Sequence, residues 1–338
     1  MTMELANNTR TVQATGSSSY TISLPKKWID EHGIDAGMEL SFYPAHGGEL
    51  VIKSERTSAR GQGASDEPRV DIAALSAAEV RQVVDALYAI GCKEFALRAE
   101  NGVSPKQRRT VANAASSKTG LEIERESGSE IHFRTVIDTT AISLERTVLQ
   151  LQYAALSMQR TVVRVLVDGS FDDLERIDGR CDDAARRFEV IDGRFRRALA
   201  DVEELDRLGR SRRAVFDRYT TAGHLLTVTE RFQRVADLLH GRGNVETTPW
   251  SDEFEDCARR SRTLTEAAVD AVLTASRPPY ETVRDARRLV EDVTDLHRRA
   301  NREDGHAHVW TVALVGLERS ATSVTEIAER AVQASLRA

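Results

Sequence analysis

The chain opens with a turn-rich segment of short elements, and this segment limits what the protein can fold into. After Gly16, the side chains of Tyr20, Ile22 and Leu24 alternate with polar residues, which is the period of a half-buried strand. Pro25 follows at once, and its fixed φ suits the first turn of a helix. Residues 11–33 are therefore predicted to form a strand, a Gly/Ser turn, a second strand and a helix.

The helix is predicted to end at Gly33, and two further strands follow it. They cover residues 39–43 and 49–53, joined by a loop at residues 46–48 that contains two glycines. Elements this short cannot enclose a core within about fifty residues, because small domains bury too little apolar surface. The sequence therefore predicts that residues 1–54 are a dimerisation module and that the protein is a homodimer.

Residues 9–54 resemble the AbrB/SpoVT swapped-hairpin domain, in which two chains interleave their strands into one barrel. The resemblance rests on Gly16, the alternating run to Leu24, Pro25, the Gly33-Ile34 pair and residues 37–40. It implies that the N-terminal part is one half of a swapped-hairpin β-barrel. Many members of the family bind DNA, so the resemblance also implies a DNA-binding role.

Few basic residues are available for DNA contact. Arg10 matches an early basic residue of the family, and Lys26 and Lys27 add two cations after the proline. The family often has further basic residues after the turn glycine and before the Gly-Ile pair. Here residues 17–19 are serines and residues 30–32 are Asp, Glu and His, and carboxylates that face phosphate repel it. DNA contact through Arg10, Lys26 and Lys27 and a pure dimerisation role both remain open.

Composition limits the class of protein. With 41% apolar and 30% charged residues, the chain is typical of a globular protein. Its net charge of -6 argues against a protein that binds nucleic acid with its whole surface. Only a local basic patch is compatible with DNA binding. No apolar run has the length of a membrane helix and no signal peptide is recognised, so a cytoplasmic protein without membrane insertion is expected. Cys92, Cys181 and Cys257 are widely spaced, which fits buried thiols in a reducing compartment.

Residues 55–68 contain almost no apolar side chains and are predicted to be a linker. Residues 69–137 are predicted to form a small α/β domain with the element order βαβαββ. In this domain Ser76 caps a helix whose apolar face includes Val80 and Val84. No glycine-rich phosphate loop is present, so the sequence favours a scaffold or a partner surface.

From residue 139 to the end, apolar residues recur at three- and four-residue steps, which predicts helices throughout. Three helices are predicted in residues 138–242 and three in residues 249–338, separated by a glycine-containing loop. The second helix is predicted to begin at residues 172–173 and to continue until Gly209. Glu230-Arg231 and Glu318-Arg319 take equivalent places in the third helix of each half, which indicates an internal repeat.

This helical half resembles the PhoU family of phosphate-uptake regulators, which are built from two tandem three-helix bundles. The resemblance covers residues 139–338 and rests on the repeat, the two Glu-Arg pairs and the run at residues 325–329. An AbrB-like domain ahead of a PhoU-like region is an architecture associated with archaeal members. The expected fold class is thus multidomain α+β: a swapped-hairpin barrel half, a small α/β domain and C-terminal all-α tandem three-helix bundles.

In PhoU proteins each repeat has a glutamate and a second carboxylate four residues later, a pair suited to a hard or transition metal. Here the second positions hold Arg234 and Thr322, so Glu230 and Glu318 each keep half of a metal site. No cofactor is therefore expected, with a divalent or ferric metal on Glu230 and Glu318 as the alternative. In the metal alternative, Asp237, seven residues after Glu230, is a poor substitute for the missing ligand. The competing interpretation is an i,i+4 ion pair between Glu230 and Arg234.

Other candidate sites are weaker. His297, His306 and His308 do not make a metal cluster, since residues two apart on a helix do not face one another. Arginine pairs alternate with acidic runs along the helices, a pattern typical of solvated faces. No catalytic triad, Walker sequence or cysteine-pair knuckle is recognised, so no enzyme is expected.

The resulting prediction is a cytoplasmic, homodimeric regulator whose helical bundles dock onto other proteins. The PhoU resemblance implies control of phosphate uptake and phosphate-dependent signalling through a phosphate transporter ATPase or a signalling histidine kinase, with DNA as a further partner. The alternative is an AbrB-type DNA-binding transcriptional regulator in which the helical half is a sensor or a dimer brace.

Overall fold

The computed structural model describes residues 9–16, 18–44, 48–54, 68–136, 143–169, 171–177, 179–240, 245–275, 278–302 and 307–337. The predicted linker (apart from its last residue), part of the loop at residues 46–48, and His306 lie outside these described residues. The chain divides into two compact units, residues 1–67 and 68–338, and each is described by itself.

The N-terminal unit consists of two separate antiparallel hairpins and one short helix. β1 (Gln13–Thr15) pairs with β2 (Ser19–Thr21), α1 covers Lys26–His32, and β3 (Leu40–Pro44) pairs with β4 (Leu50–Ser54). The two hairpins are not hydrogen-bonded to each other in the described residues, so one chain forms no closed barrel there.

Two local details differ from the sequence prediction, and a third agrees with it. Pro25 is the N-cap of α1, with extended backbone at φ -62° and ψ 125°, and does not lie inside the first turn. The regular strand ends at Thr21, so the alternating run to Leu24 only partly pairs. Gly33 ends α1 as predicted, with a left-handed φ of 59° that glycine adopts without steric cost.

The second unit begins with a four-stranded sheet covered by two helices. Its elements are β5 (Arg69–Asp71), α2 (Ala77–Ala89), β6 (Glu94–Arg98), α3 (Pro105–Ser117), β7 (Leu121–Glu126) and β8 (Glu130–Thr135). The strand order is β5-β6-β8-β7, with β5 and β6 parallel and the other pairs antiparallel. The predicted order βαβαββ is therefore the observed one.

Local sequence explains why these helices start where they do. Ser76 and Ser104 each accept a hydrogen bond from the backbone N–H three residues on, and Glu79 and Gln107 return the bond, which makes two capping boxes. The core of the domain lies between the helices and the sheet, where Phe95 and Phe133 stack with ring centroids 4.5 Å apart.

The rest of the second unit is helical. The long helices are α4 (Leu144–Asp168), α5 (Arg180–Ala200), α7 (Arg212–Leu239), α8 (Ser251–Thr274), α9 (Tyr280–Ala300) and α10 (His308–Ser335), with the short α6 (Val202–Leu208) after α5. We call α4, α5 and α7 the first bundle, and α8, α9 and α10 the second bundle. Their helices have 25, 21 and 28 residues in the first and 24, 21 and 28 in the second, so equivalent helices match in length.

The two bundles pack together through their first and third helices. α7 contacts α10, and α4 contacts α8, with a smaller contact between α7 and α8. Within the same unit, α5 also packs on α2 and α6. Buried apolar side chains of both bundles join into one continuous hydrophobic cluster. Each bundle also has its own aromatic contacts: Phe195 stacks on Tyr219 at 4.4 Å in the first, and Trp310 meets Trp250 at 5.1 Å in the second.

The helix predicted from residues 172–173 to Gly209 is divided into three pieces. A 3-10 helix at Phe171–Ile177 precedes α5, and Gly179 separates them with φ 76°. Asp201 then interrupts the path with extended backbone, and its carboxylate accepts from the N–H of Glu203 to cap α6. The apolar period continued through these breaks, which is why the period alone predicted one helix.

The α/β domain is tied to the first bundle through Lys118, which lies at the end of α3. Its ammonium lies 2.6 Å from a carboxylate oxygen of Glu189 on α5 and 3.2 Å from one of Asp85 on α2. The Lys118 side chain is only 9% exposed and lies over the ring of Tyr88. This buried cation therefore joins three elements from two parts of the unit.

Candidate functional site

The N-terminal unit leaves its apolar side chains uncovered. Val12, Tyr20, Ile22, Phe42 and Leu50 are between 52% and 77% exposed. Of the described residues in this unit, only Ile34 and Ser54 are classed as buried. A chain that exposes the apolar residues of both hairpins has no core of its own, so this face needs a covering partner.

The predicted DNA-contact residues lie on the surface of the same unit. Lys26 and Lys27 are exposed and adjacent in the first turn of α1. Lys27 forms only a loose ion pair, 3.9 Å from Glu31 one turn on. Arg10 lies ahead of β1, is exposed, and donates to the carbonyl of the preceding Thr9 at 3.0 Å. All three cations are thus accessible to a ligand.

The charge of this unit is close to balanced. Its residues 9–54 contain four lysines and arginines and five aspartates and glutamates, so a single chain has a slight excess of negative charge. The carboxylates of Asp30 and Glu31 lie on α1 within two turns of the lysines and weaken the field that a phosphate meets.

The two glutamates considered as metal ligands, one in each bundle, have different surroundings. Glu230 and Arg234 on α7 are both exposed, and the described structure contains no ion pair between them. Glu318 on α10 is engaged by His297 of α9, whose Nδ1 lies 3.1 Å from its carboxylate. The Thr322 hydroxyl donates to the backbone carbonyl of Glu318 at 2.9 Å and not to its carboxylate.

No set of three or more His, Cys, Asp and Glu side chains that could hold a metal ion occurs in the described parts of the chain. Asp237, the substitute ligand considered from the sequence, accepts instead from the amide of Gln233 at 2.7 Å. His308 is exposed at the first residue of α10. The three cysteines are free, and Cys257 is the buried one, where burial raises its thiol pKa to about 11.

Sequence reasoning missed a set of charged contacts between the two bundles. Asp217 on α7 is almost fully buried and accepts from Arg337 at 2.8 Å, with Arg330 4.0 Å away. His224, also on α7, lies 3.1 Å from the carboxylate of Glu326 on α10. The arginine-rich pattern was assigned to solvated helix faces, and no local signal separates these few buried members from the exposed majority.

Burial lowers the pKa of His224, while the nearby Glu326 carboxylate opposes the shift and Arg330 and Arg319 add to it. The folded protein therefore favours neutral His224 at the contact between α7 and α10.

Among the described helices we find none with the length and apolarity that a membrane crossing requires.

Comparison with known proteins assigns the N-terminal unit. Residues 13–60 match the model of the family described as "Antidote-toxin recognition MazE, bacterial antitoxin". The N-terminal unit is an AbrB/MazE-type domain. The helical half gives no match to the PhoU family. Searches of curated proteins and of solved structures give no significant match to the chain.

Proposed function

We propose that this protein is a homodimeric, DNA-binding regulator that contacts DNA through its N-terminal AbrB/MazE-type unit. The proposal rests on one observation: the segment that matches the MazE family is also the segment whose apolar side chains are uncovered in a single chain. Two copies that cover these faces would bring two sets of Arg10, Lys26 and Lys27 onto one surface. Phosphate contacts of this kind position a protein on duplex DNA and supply most of its affinity.

The two helical bundles and the α/β domain are proposed to act as a sensing and docking body without catalytic activity. The matched lengths of the helices fit a body with two similar docking faces. We infer that signals reach the DNA-binding unit through proteins or ligands that bind this body.

The DNA-binding proposal is tested by fluorescence anisotropy on duplex DNA from the promoter of the gene itself, over a series of salt concentrations. Three cations from each of two chains predict a slope of log K against log salt of about -5. Changing Lys26 and Lys27 to alanine in both chains should reduce that slope by about 3 to 4. Lys106→Ala, an exposed lysine on α3, is the matched control and should leave the slope unchanged.

A salt-independent signal, or equal loss in the Lys106→Ala variant, contradicts the proposal. If the slope of log K against log salt for the wild-type protein is near zero below physiological salt, dimerisation is the only role left for the N-terminal unit. Arg10→Ala is measured separately, because Arg10 lies ahead of β1 whereas the two lysines lie on α1.

A second candidate is regulation of phosphate uptake through a phosphate transporter ATPase or a signalling histidine kinase. The tandem pattern of three matched helices favours this PhoU-like role, and the absence of a match to that family counts against it. Deleting the gene and measuring phosphate uptake at low and high phosphate tests it. Uptake that responds to phosphate as in the parent strain contradicts this candidate and leaves the DNA-binding proposal intact.

A further inference from the structure

One outer face of α7 is left open between its two neighbours, α5 and α10. Its residues recur at three- and four-residue steps along the helix, and all are exposed or half-buried. They are Arg213, Phe216, Thr220, Gly223, Thr227, Glu230 and Arg234. Phe188 of α5 lies on one side, since a Cβ built at Gly223 would be 3.8 Å from its ring, and Glu326 of α10 lies on the other, beside His224. We call this stripe of α7, with the adjoining edges of α5 and α10, the outer groove.

A row of aromatic rings forms the wall of the outer groove on the α5 side. Phe195 of α5 stacks on Tyr219 of α7 with ring centroids 4.4 Å apart, and Phe216 lies 5.8 Å from Phe195. Phe188 continues the row at 5.7 Å from Tyr219. Phe216 is 38% exposed, and Leu199, one turn after Phe195, is 53% exposed. The wall therefore offers apolar surface that is open to a partner.

The floor of the outer groove has small side chains whose polar groups are already bonded. Gly223 has no side chain, and Thr220 and Thr227 are small. The Thr220 hydroxyl donates to the carbonyl of Phe216 at 3.1 Å, and the Thr227 hydroxyl donates to the carbonyl of Gly223 at 3.0 Å. Because these hydroxyls keep their hydrogen bonds within α7, a partner can cover them without leaving them unpaired. Small side chains also let a further helix approach α7 closely.

The outer groove has more arginines than carboxylates to pair with them. Four of its arginines make no ion pair or side-chain hydrogen bond with another described residue: Arg213, Arg231, Arg234 and Arg319. Arg319 belongs to the α10 edge, since its charge acts on His224. The exposed arginines of α9 differ, because Arg284, Arg288 and Arg298 each lie near an acid three residues earlier. The groove therefore has spare positive charge, although the chain has a net charge of -6.

The charges and rings of the outer groove favour an acidic amphipathic helix of another protein as its occupant. A second copy of the chain would set the same arginines against each other in a symmetric contact. Nucleic acid fits less well, because Glu230 lies within the stripe and the faces of Phe195 and Tyr219 are already stacked on each other. A helix with apolar residues on one side and carboxylates beside them complements both the aromatic wall and the spare arginines.

We propose that the outer groove binds an acidic amphipathic helix of a partner protein. The apolar side of that helix packs on Phe216, Leu199 and the floor, and its carboxylates pair with Arg213, Arg234 and Arg319. The stripe from Arg213 to Arg234 spans about 30 Å, which matches a bound helix of about 20 residues. Because the groove belongs to the helical body, the proposal rests on the docking role inferred above and not on DNA binding.

A labelled peptide of defined chemistry tests the outer groove on the full-length protein. The probe is a fluorescein-labelled peptide of about 20 residues, long enough to form a helix, with leucines along one face and glutamates beside them. One control peptide has the same residues in an order without an apolar face, and a second has lysines in place of the glutamates. Fluorescence anisotropy should give a Kd for the acidic amphipathic peptide that is at least about tenfold lower than for either control.

Two pairs of charge reversals locate the binding. Arg213→Glu with Arg234→Glu reverses two unpaired charges of the outer groove and should raise Kd by about tenfold or more. Arg284→Glu with Arg298→Glu makes the same change in net charge on α9 and should leave Kd within about twofold, since distant surface charges are screened by salt. All four side chains are exposed, so the fold should tolerate both pairs.

A matched pair of leucines tests the apolar wall independently of the arginines. Leu199→Asp places a carboxylate beside the aromatic row and should raise Kd by about fivefold or more. Leu149→Asp, on α4, is the control and should leave Kd within about twofold. The two leucines are 53% and 49% exposed, so neither variant should lose its fold.

Equal affinity for the three peptides overturns the proposal. Peptide binding that both charge-reversal pairs reduce equally, or that neither reduces, places docking elsewhere on the helical body and overturns the groove. Loss of DNA binding or a lower mass in the Arg213→Glu, Arg234→Glu protein, with no peptide binding by the wild type, assigns the face to nucleic acid or to a second copy and also overturns it. The Lys26→Ala, Lys27→Ala protein should bind the peptide as the wild type does, so a failed DNA interface and a failed groove are distinguished.

Discussion

Removing the ammonium of Lys118 should loosen the α/β domain from the first bundle. Lys118→Met keeps most of the side-chain volume and deletes the charge that lies 2.6 Å from Glu189 and 3.2 Å from Asp85. A hydrogen bond to a charged group contributes about 1.5–3 kcal/mol. Both carboxylates are about a third exposed and regain water, so we discount this to a loss of about 1–2 kcal/mol.

The assay is a double-mutant cycle of Lys118→Met and Glu189→Gln in urea, with the free energy of unfolding taken from the transition that includes the α/β domain. We expect a coupling energy of about 1 kcal/mol between the two residues. Lys106→Met, an exposed lysine on the same helix, is the control and should cost less than about 0.5 kcal/mol. A coupling energy below about 0.3 kcal/mol, or equal losses in Lys118→Met and Lys106→Met, would refute the reasoning.

Three further predictions concern the same unit. Burial, then the charge of a nearby carboxylate, raises the pKa of Tyr88 to about 12, so absorbance at alkaline pH should show one tyrosine that ionises late. Because the folded state holds that proton longer, this group stabilises the protein fully below pH 10 and loses the effect toward pH 12. Gly91→Ala should cost about 1–2 kcal/mol in urea unfolding, since Gly91 has φ 80° and its new Cβ would lie 3.0 Å from a side-chain carbon of α5. Gly128→Ala, with open space and no positive φ, is the control. The lowered pKa of His224 means that stability is full above its ordinary pKa of 6.5 and falls as pH drops below it; a pH series of unfolding should be flatter for His224→Gln, and identical curves would contradict this.

Strongly periodic elements were predictable from the sequence. The α/β domain follows its predicted order because Ser76 and Ser104 form complete capping boxes and the apolar periods between them are unbroken. The long helices α7 and α10 begin and end within two residues of their predictions. Ser211 caps α7 by accepting a hydrogen bond from the N–H of Ala214. Contacts between residues that are close together in the sequence fix these elements, and such contacts can be predicted from the sequence.

Interruptions were harder to predict than the helices themselves. Asp201 separates α5 from α6, and its carboxylate accepts a hydrogen bond from the N–H of Glu203, two residues on. The apolar residues around it nevertheless keep the helical period. Pro25 could have occupied either the first helical position or the cap before it, since both suit its φ. Where a helix breaks, and which position a proline takes at its start, depend on contacts with neighbouring residues. The spacing of apolar residues in the sequence gives no information on those contacts.

The candidate sites were the least predictable. Glu318 was considered from the sequence as half of a metal site, and in the structure His297 of the neighbouring helix lies against its carboxylate. Asp217 sits within a charged run that looked solvated, and the packing of α7 on α10 buries it against Arg337. Both outcomes depend on which helices meet, so no spacing within one helix could have predicted them.

The account depends most on the uncovered apolar face of the N-terminal unit, and the mass of the full-length protein in solution tests it most directly. Light scattering at micromolar concentration should give twice the chain mass of 37.5 kDa. Ile22→Asp should shift the protein to the single-chain mass, because a charge then lies in the covered face. Tyr153→Asp, an equally uncovered side chain on α4, should leave the mass unchanged. A wild-type protein of 37.5 kDa, or an Ile22→Asp variant with an unchanged mass, would contradict the account.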